Sequence, residues 1–164
     1  MIHTVVLNSN NALSTPKTVD NPQNNGNSVN YSLDWGFLKE NTQYKIRSYF
    51  NSTSGNFNAD TLVIASADFL GSSTCYEPAG TRNGRVKSDY LTMIHAESVS
   101  NGAATGVHLQ THSVDSGYIM LQSKPLNNVF NITLKLTNNT LLTCPVGFSY
   151  VLVLEFIEVD NSKY

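Results

Sequence analysis

Charged side chains are scarce in this 164-residue chain. Asp, Glu, Lys and Arg make up 13% of the residues, about half of the ~25% that is typical of soluble domains. The formal net charge is −2, so the chain lacks the basic excess with which proteins bind nucleic acid. Asn, Ser and Thr supply the polarity instead. An AT-rich genome would favour Asn, but amides and hydroxyls also cost less to bury against another protein than ions do.

Long apolar runs and a secretory signal are also missing. The most apolar stretch, at residues 150–156, contains Glu155 and is followed by Glu158, and it is far shorter than the ~20 residues of a membrane span. The chain begins "MIHTVVLNSN", with no basic start and only a very short apolar core. We therefore expect neither a membrane span nor a signal peptide.

Cysteine is limited to two residues, Cys75 and Cys144. Both fall in predicted loops, "SSTCYEP" and "LLTCPVG", where a disulfide between them is conceivable. Disulfides are typical of secreted proteins. Because nothing in the sequence indicates secretion, we expect two free thiols.

Helical periodicity is absent, whereas short strand-like runs alternate with turn signals along the whole chain. Residues 43–51 and 129–136 show the two-residue alternation of a strand with one buried face. We predict eight principal strands and one short edge piece. The strands are 2–7, 29–37, 43–51, 61–69, 90–95, 118–122, 129–136 and 149–158, and the edge piece is 107–111.

The connections between these strands are very unequal in length, which favours Greek-key crossovers between two sheets over an up-and-down barrel. The order Cys…Trp…Cys of antibody domains is absent, because the single Trp35 precedes both cysteines. We therefore predict a single all-β domain over residues 1–164, an eight-stranded antiparallel jelly-roll sandwich. Its long loops are expected at about 8–28 and 71–88.

The last strand, "SYVLVLEFIEV", is rich in β-branched and aromatic residues and does not alternate. A continuous apolar run is typical of a strand that is covered on both faces or lies at the centre of a sheet. We expect this strand to have a neighbour on each side.

Motifs for catalysis and metal binding are missing. His108 and His112 in "HLQTH" would lie about 13 Å apart on a strand, too far to share an ion. Glu155 and Glu158 are expected to face solvent or a neighbour rather than to act as a catalytic pair. No strained elbow or local base accompanies a serine or cysteine. We predict no enzyme activity, no cofactor and no bound metal.

The segment "EPAGTRNGR" contains the strong turn signal Asn83-Gly84 between two arginines. This basic tip, formed by Arg82, Asn83 and Arg85, is a candidate contact for a receptor or partner. The alternative is an ordinary turn with solvated arginines.

Several segments together resemble the minor capsid proteins of large double-stranded DNA viruses. They are "VVLNSNNALSTP", "VNYSLDWGF", "YKIRSYFNS" and "NNVFNITLKLTNNTLLTCPVGFSYVLVLEFIEV". The family's closing segment, a strand, a polar turn and an apolar last strand that ends in an acidic residue, is similar to residues 129–136, 137–140 and 150–158.

The resemblance implies a single jelly roll that serves as a penton or a cement protein and bridges capsomers without catalysis. Its expected partners are the major capsid protein and other minor capsid proteins, and it would be oligomeric in the assembled shell. Its expected location is the virion, after assembly inside the host cell.

Two other classes of jelly-roll protein remain open. A carbohydrate-binding domain, such as a lectin or a receptor-binding tip, needs exposed aromatic residues and hydrogen-bonding groups or a Ca²⁺ cluster. Trp35 is predicted within a strand, and the loops hold few acidic residues close together, which disfavours this class. A cupin-like enzyme would need histidines and a carboxylate that converge on a metal.

Overall fold

The computed structural model describes residues 1–11, 27–53, 55, 57, 61–70, 74–75, 86–87, 90–101, 104–111, 119–138, 140–144 and 147–159. These residues form eleven β-strands and no α-helix. The strands are β1 (Ile2–Asn8), β2 (Ser28–Ser32), β3 (Tyr44–Ser52), β4 (Leu62–Ala67), β5 (Thr74–Cys75), β6 (Val86–Lys87), β7 (Tyr90–Asn101), β8 (Ala104–Gln110), β9 (Ile119–Leu121), β10 (Val129–Leu136) and β11 (Tyr150–Glu158).

Eight strands form one continuous path in the order β1-β11-β3-β8-β7-β4-β10-β2. All of their pairings are antiparallel. The path divides into two four-stranded halves, β1-β11-β3-β8 and β7-β4-β10-β2, that are joined by the β7–β8 pairing. Strands that are distant in the sequence alternate within each half, as two Greek keys require. The all-β, antiparallel, jelly-roll-like sandwich is thereby confirmed.

The two halves pack against each other through an aromatic core. Trp35 contacts Phe130 of β10 at a ring-centroid distance of 5.4 Å and Phe156 of β11 at 5.9 Å. Phe69 touches the same two rings. All but Phe69 of these four are nearly inaccessible to solvent. Because Phe130 and Phe156 belong to different halves, this cluster closes the sandwich.

Several strand assignments differ from the sequence prediction. β5 and β6 lie in a predicted loop, β7 continues beyond the predicted 90–95 to Asn101, and two further strands have a different place in the sheet. The predicted edge piece 107–111 is part of β8, which lies inside the path between β7 and β3. The predicted principal strand 118–122 is reduced to the three-residue β9, which pairs with β3 alone. In β8 the one described side chain that is fully buried is Leu109, so the hydrophobic pattern that marks a central strand is almost absent.

The prediction that Trp35 lies within a strand is wrong. β2 ends at Ser32, and Trp35 begins a single 3-10 turn that runs to Phe37. Asp34 caps this turn, since its Oδ1 accepts a hydrogen bond from the Gly36 amide at 2.9 Å. Such local side-chain bonds compete with strand pairing. The turn directs the indole into the core, where its Nε1 donates to the Asn127 carbonyl at 2.8 Å.

The last strand, β11, is paired on both edges, with β1 on one side and β3 on the other. Its position at a sheet centre is therefore as predicted. Its faces are unequal, however, because buried residues alternate with half-buried or exposed ones and Val151 is 37% exposed. The long apolar run thus supplies one core face and one outward face that carries valines and an isoleucine.

The two long loops predicted at about 8–28 and 71–88 lie largely outside the described residues. β1 ends at Asn8 and β2 begins at Ser28. Within the second segment, Thr74–Cys75 pairs antiparallel with Val86–Lys87.

Candidate binding face

The candidate site is the outward face of the half formed by β1, β11, β3 and β8. In β3 and β11 the even-numbered residues point into the core and the odd-numbered residues point outward, apart from Glu158 at the strand end. In β1 the even-numbered residues Ile2, Thr4 and Val6 are exposed. The strand register places these outward residues in rows that cross the sheet.

Apolar residues occupy this face along the edge formed by β1, which is the last strand of the path in the described part of the chain. Ile2 is opposite Ile157 and Val6 is opposite Val153 in the β1–β11 register. Ile2 and Val6 are 60% and 63% exposed, respectively. We refer to these four residues, Ile2, Val6, Val153 and Ile157, as the apolar edge strip.

A charged row crosses the face between the apolar pairs. Arg47 of β3 lies opposite Glu155 of β11, and its Nη1 is 3.5 Å from the carboxylate Oε2. Arg47 also donates to the hydroxyl of Tyr49 at 3.0 Å, and that hydroxyl donates to Glu155 at 3.4 Å. The arginine and the carboxylate therefore hold the Tyr49 ring from its hydroxyl end.

Amide side chains dominate the opposite end of the face. Asn8 pairs with Val151, Val151 with Asn51, and Asn51 with Gln110, which makes one row across four strands. This row lies in a shallow groove of about 650 Å³. We call it the amide groove, and its outward lining includes Asn8, Tyr49, Asn51, His108, Gln110 and Val151. No residue that lines it among the described residues is an acid, a lysine or an arginine.

Glu155 and Glu158 do not form a pair. Glu155 is on the outward face with Arg47, whereas Glu158 has the opposite parity at the end of β11 and binds Lys39 at 2.7 Å. The hydrogen bond from Lys39 lowers the pKa of Glu158, and the same bond raises the pKa of Lys39. Each carboxylate faces a cation on another element, Arg47 of β3 or Lys39 of the segment before β3, partners that the sequence did not predict.

The three histidines among the described residues, His3, His95 and His108, lie on three different strands. His108 lies in β8, and its Nδ1 is 2.9 Å from the Ser52 carbonyl. Because a carbonyl can only accept, this nitrogen carries the proton and Nε2 is left for other contacts. His112, its partner in "HLQTH", lies outside the described residues. His3 packs on Phe37 at 5.3 Å.

A search of the described residues for three or more clustered His, Cys, Asp or Glu side chains finds none. The predicted basic tip, Arg82, Asn83 and Arg85, falls outside the described residues, and its role stays a prediction.

Cys144 is a free thiol, as expected, and it is buried. Burial raises its pKa to about 12, so the reactive thiolate is absent near neutral pH. Cys75 is in β5, but its side chain is not among those described. Cys144 is thus a core residue rather than a nucleophile.

Sequence reasoning missed the amide groove as a site. Asn8, Asn51 and Gln110 are polar residues at outward strand positions, which is unremarkable in each strand taken alone. They become neighbours only through the register of β1, β11, β3 and β8. A signal exists in the alternation of β3, which marks Asn51 as outward, but the sequence does not identify its partners across the sheet.

Comparison of the chain with protein-family models, curated proteins and solved structures finds no match. Among the described residues, no helix has the length and apolar character needed to cross a membrane.

Proposed function

We propose that this chain is a structural component of a virus shell, a penton or cement protein that bridges capsomers without catalysis. The observation that carries the proposal is the apolar edge strip at the β1 edge of a jelly-roll-like sandwich. The resemblance of several segments to viral minor capsid proteins provides the biological setting. The proposed partners are the major capsid protein and other minor capsid proteins, and the proposed location is the virion, assembled within the host cell.

The edge formed by β1 is unusually open to association. β1 has one strand neighbour, β11, in the described part of the chain. Proteins commonly protect such edges with Lys, Pro, bulges or very short strands. β1 is seven residues long, contains neither Lys nor Pro, and exposes Ile2 and Val6. An edge of this kind can accept a further strand or an apolar surface from a neighbouring subunit.

The low charge of the chain supports the same proposal. A shell protein is surrounded by neighbours, so much of its surface loses water during assembly. Burying unpaired ions costs far more than burying amides or hydroxyls. On the outward face Arg47 is already paired with Glu155, and one further charged side chain, Lys45, lies exposed opposite Ile157. The end of the strip away from Lys45, formed by Val6 and Val153, can therefore be covered at little electrostatic cost.

Quantitative mass spectrometry of gradient-purified particles from infected cultures tests this function. The expected result is that the chain co-purifies with a major capsid protein at a fixed ratio. Its copy number per particle would separate a penton from a cement protein. Absence from the particles, together with abundance in the soluble fraction, would contradict the proposal.

A further inference from the structure

We propose that the amide groove is a binding site for a neutral oligosaccharide. The inference goes beyond the shell function, because it concerns a ligand site at the end of the face opposite Ile2 and Ile157. The groove shares one residue, Val153, with the apolar edge strip. It also concerns residues that the sequence did not single out. Its volume of about 650 Å³ lies within the range of known ligand sites.

The groove has the length of an extended ligand. Its central row runs from Asn8 on β1 through Val151 and Asn51 to Gln110 on β8. Neighbouring strands lie about 4.8 Å apart, so the row spans about 14 Å. A short oligosaccharide that lies across the strands would therefore meet several amides in succession.

The hydrogen-bonding groups suit hydroxyls. An amide side chain carries both a donor and an acceptor, so it can match a sugar hydroxyl in either role. Asn8 keeps its Nδ2 as a donor, because its Oδ1 accepts a hydrogen bond from the Asn10 backbone amide at 2.9 Å. Asn51 is exposed at the middle of the row. His108 adds Nε2, because its Nδ1 is engaged by the Ser52 carbonyl. Gln110 is oriented by a hydrogen bond from its Nε2 to the Glu97 carboxylate, which leaves its carbonyl oxygen as an acceptor.

Apolar surface accompanies these polar groups. Tyr49 and Val153 lie opposite each other in the next row, and both line the groove. The Tyr49 hydroxyl is held by Arg47 and Glu155, so the ring is fixed before any ligand arrives. A fixed ring provides a flat apolar platform at low entropic cost, on which the C–H face of a pyranose can stack.

The absence of charged side chains from the described lining indicates which class of ligand the groove can bind. The described lining contains no lysine or arginine to pair with phosphate, sulfate or a sialic acid carboxylate. It contains no carboxylate to hold a cation either. Nucleic acids and acidic glycans therefore lack their usual partners here. A neutral, hydroxyl-rich ligand is the class that the lining fits best.

The test begins with a glycan array that carries neutral, sialylated and sulfated oligosaccharides, probed with the purified full chain. We expect retention of a subset of neutral glycans. In parallel, NMR titration with glucose, galactose, mannose, fucose and N-acetylglucosamine should perturb the amide signals of Tyr49, Asn51 and Gln110. The absence of any response to neutral glycans and to all five sugars would overturn the proposal. Exclusive retention of acidic glycans would also overturn it.

Variants then assign binding to the groove. Asn51→Ala and Tyr49→Ala are expected to reduce binding at least tenfold, whereas Tyr49→Phe, which keeps the ring, should lose less. Asn128→Ala is the matched control, because it removes another exposed amide outside the groove lining, and its binding should equal that of the wild type. Far-ultraviolet circular dichroism checks that each variant is folded. Binding that is unaffected by Asn51→Ala and Tyr49→Ala would place the ligand elsewhere.

The outcome is independent of the shell function. A chain that enters particles but binds no glycan would retain the first proposal and lose this one. A chain that binds glycans but is absent from particles would do the reverse.

Discussion

β1 and β2, the strands at the two ends of the path in the described part of the chain, differ in what they present to solvent. β2 turns the polar residues Ser28, Asn30 and Ser32 outward, and Asn131 of the adjacent β10 bonds to two of them. The Asn131 Nδ2 donates to Asn30 Oδ1 at 2.8 Å and to Ser28 Oγ at 3.0 Å. β1 instead turns Ile2 and Val6 outward without such a network.

The polar side chains at the β2 edge have hydrogen-bond partners within the sheet, whereas the apolar side chains at the β1 edge remain exposed to water. At β2, side-chain hydrogen bonds across the strand pair occupy the polar groups, and the edge gains nothing obvious from a neighbour. At β1, apolar area remains in water, where covering it is favourable by about 25 cal/mol per Å². Two edges of one jelly-roll-like sheet can therefore differ in how much apolar area they leave exposed.

The largest expected effect is a loss of stability when the aromatic core between the two halves is disrupted. It shows whether both halves, and with them both edges, depend on the same core. Phe156 of β11 and Phe130 of β10 each contact Trp35 from opposite halves. Replacing either phenylalanine with alanine should lower the free energy of unfolding by about 3–5 kcal/mol, because a cavity forms in the aromatic cluster. Urea denaturation of the two variants measures this loss. A loss below about 1 kcal/mol for one of them would mean that only one half depends on the cluster.

The next largest effect is a difference in stability between a variant at the β2 edge and a variant at the β1 edge, measured in the isolated protein. Asn131→Ala removes the centre of the β2 network and should destabilise the fold by about 1–2 kcal/mol, since partly buried partners lose their bonds. Val6→Thr on β1 keeps a β-branched side chain and should change stability by less than about 0.5 kcal/mol. Urea denaturation again compares them. Equal losses would show that Val6 packs within the monomer and is not an interface residue.

Sequence reasoning reached the fold class, most strands and the central position of β11, because those features depend on local alternation and on apolar runs. It misplaced Trp35, since the Asp34 cap that ends β2 acts through a local side-chain bond rather than through hydrophobic pattern. It also undervalued β8, whose described pattern has a single fully buried side chain, Leu109. The candidate binding face could not be predicted from the sequence, because Asn8, Asn51 and Gln110 become neighbours only through the strand register.

The smallest expected effect concerns the ion pair that joins Lys39 to the end of β11. The pKa of Glu158 is lowered from 4.5, so its contribution to stability is present above that value and disappears as the pH falls through the lower folded pKa. The pKa of Lys39 is raised from 10.5, so its contribution is present below that value and disappears as the pH rises through the higher folded pKa.

Glu158→Gln should therefore lower Tm slightly between these limits and leave it unchanged at acid pH. The Lys39 side chain is exposed and the Glu158 side chain is partly exposed, so high salt should reduce the difference. Thermal unfolding at several pH values with and without added salt measures it. A Tm difference that persists below the acidic limit would mean that the glutamine disturbs β11 in some other way than by loss of charge.

The central claim is that the apolar edge strip is an interface in an assembled shell. The most direct test compares incorporation of Val6→Lys and Leu126→Lys into particles, measured by quantitative mass spectrometry after gradient purification. Leu126 is 99% exposed and lies outside the strip, so it controls for the added charge. We predict that Val6→Lys folds normally but is strongly depleted from particles, whereas Leu126→Lys enters at the wild-type ratio. Equal incorporation of the two variants would contradict the account.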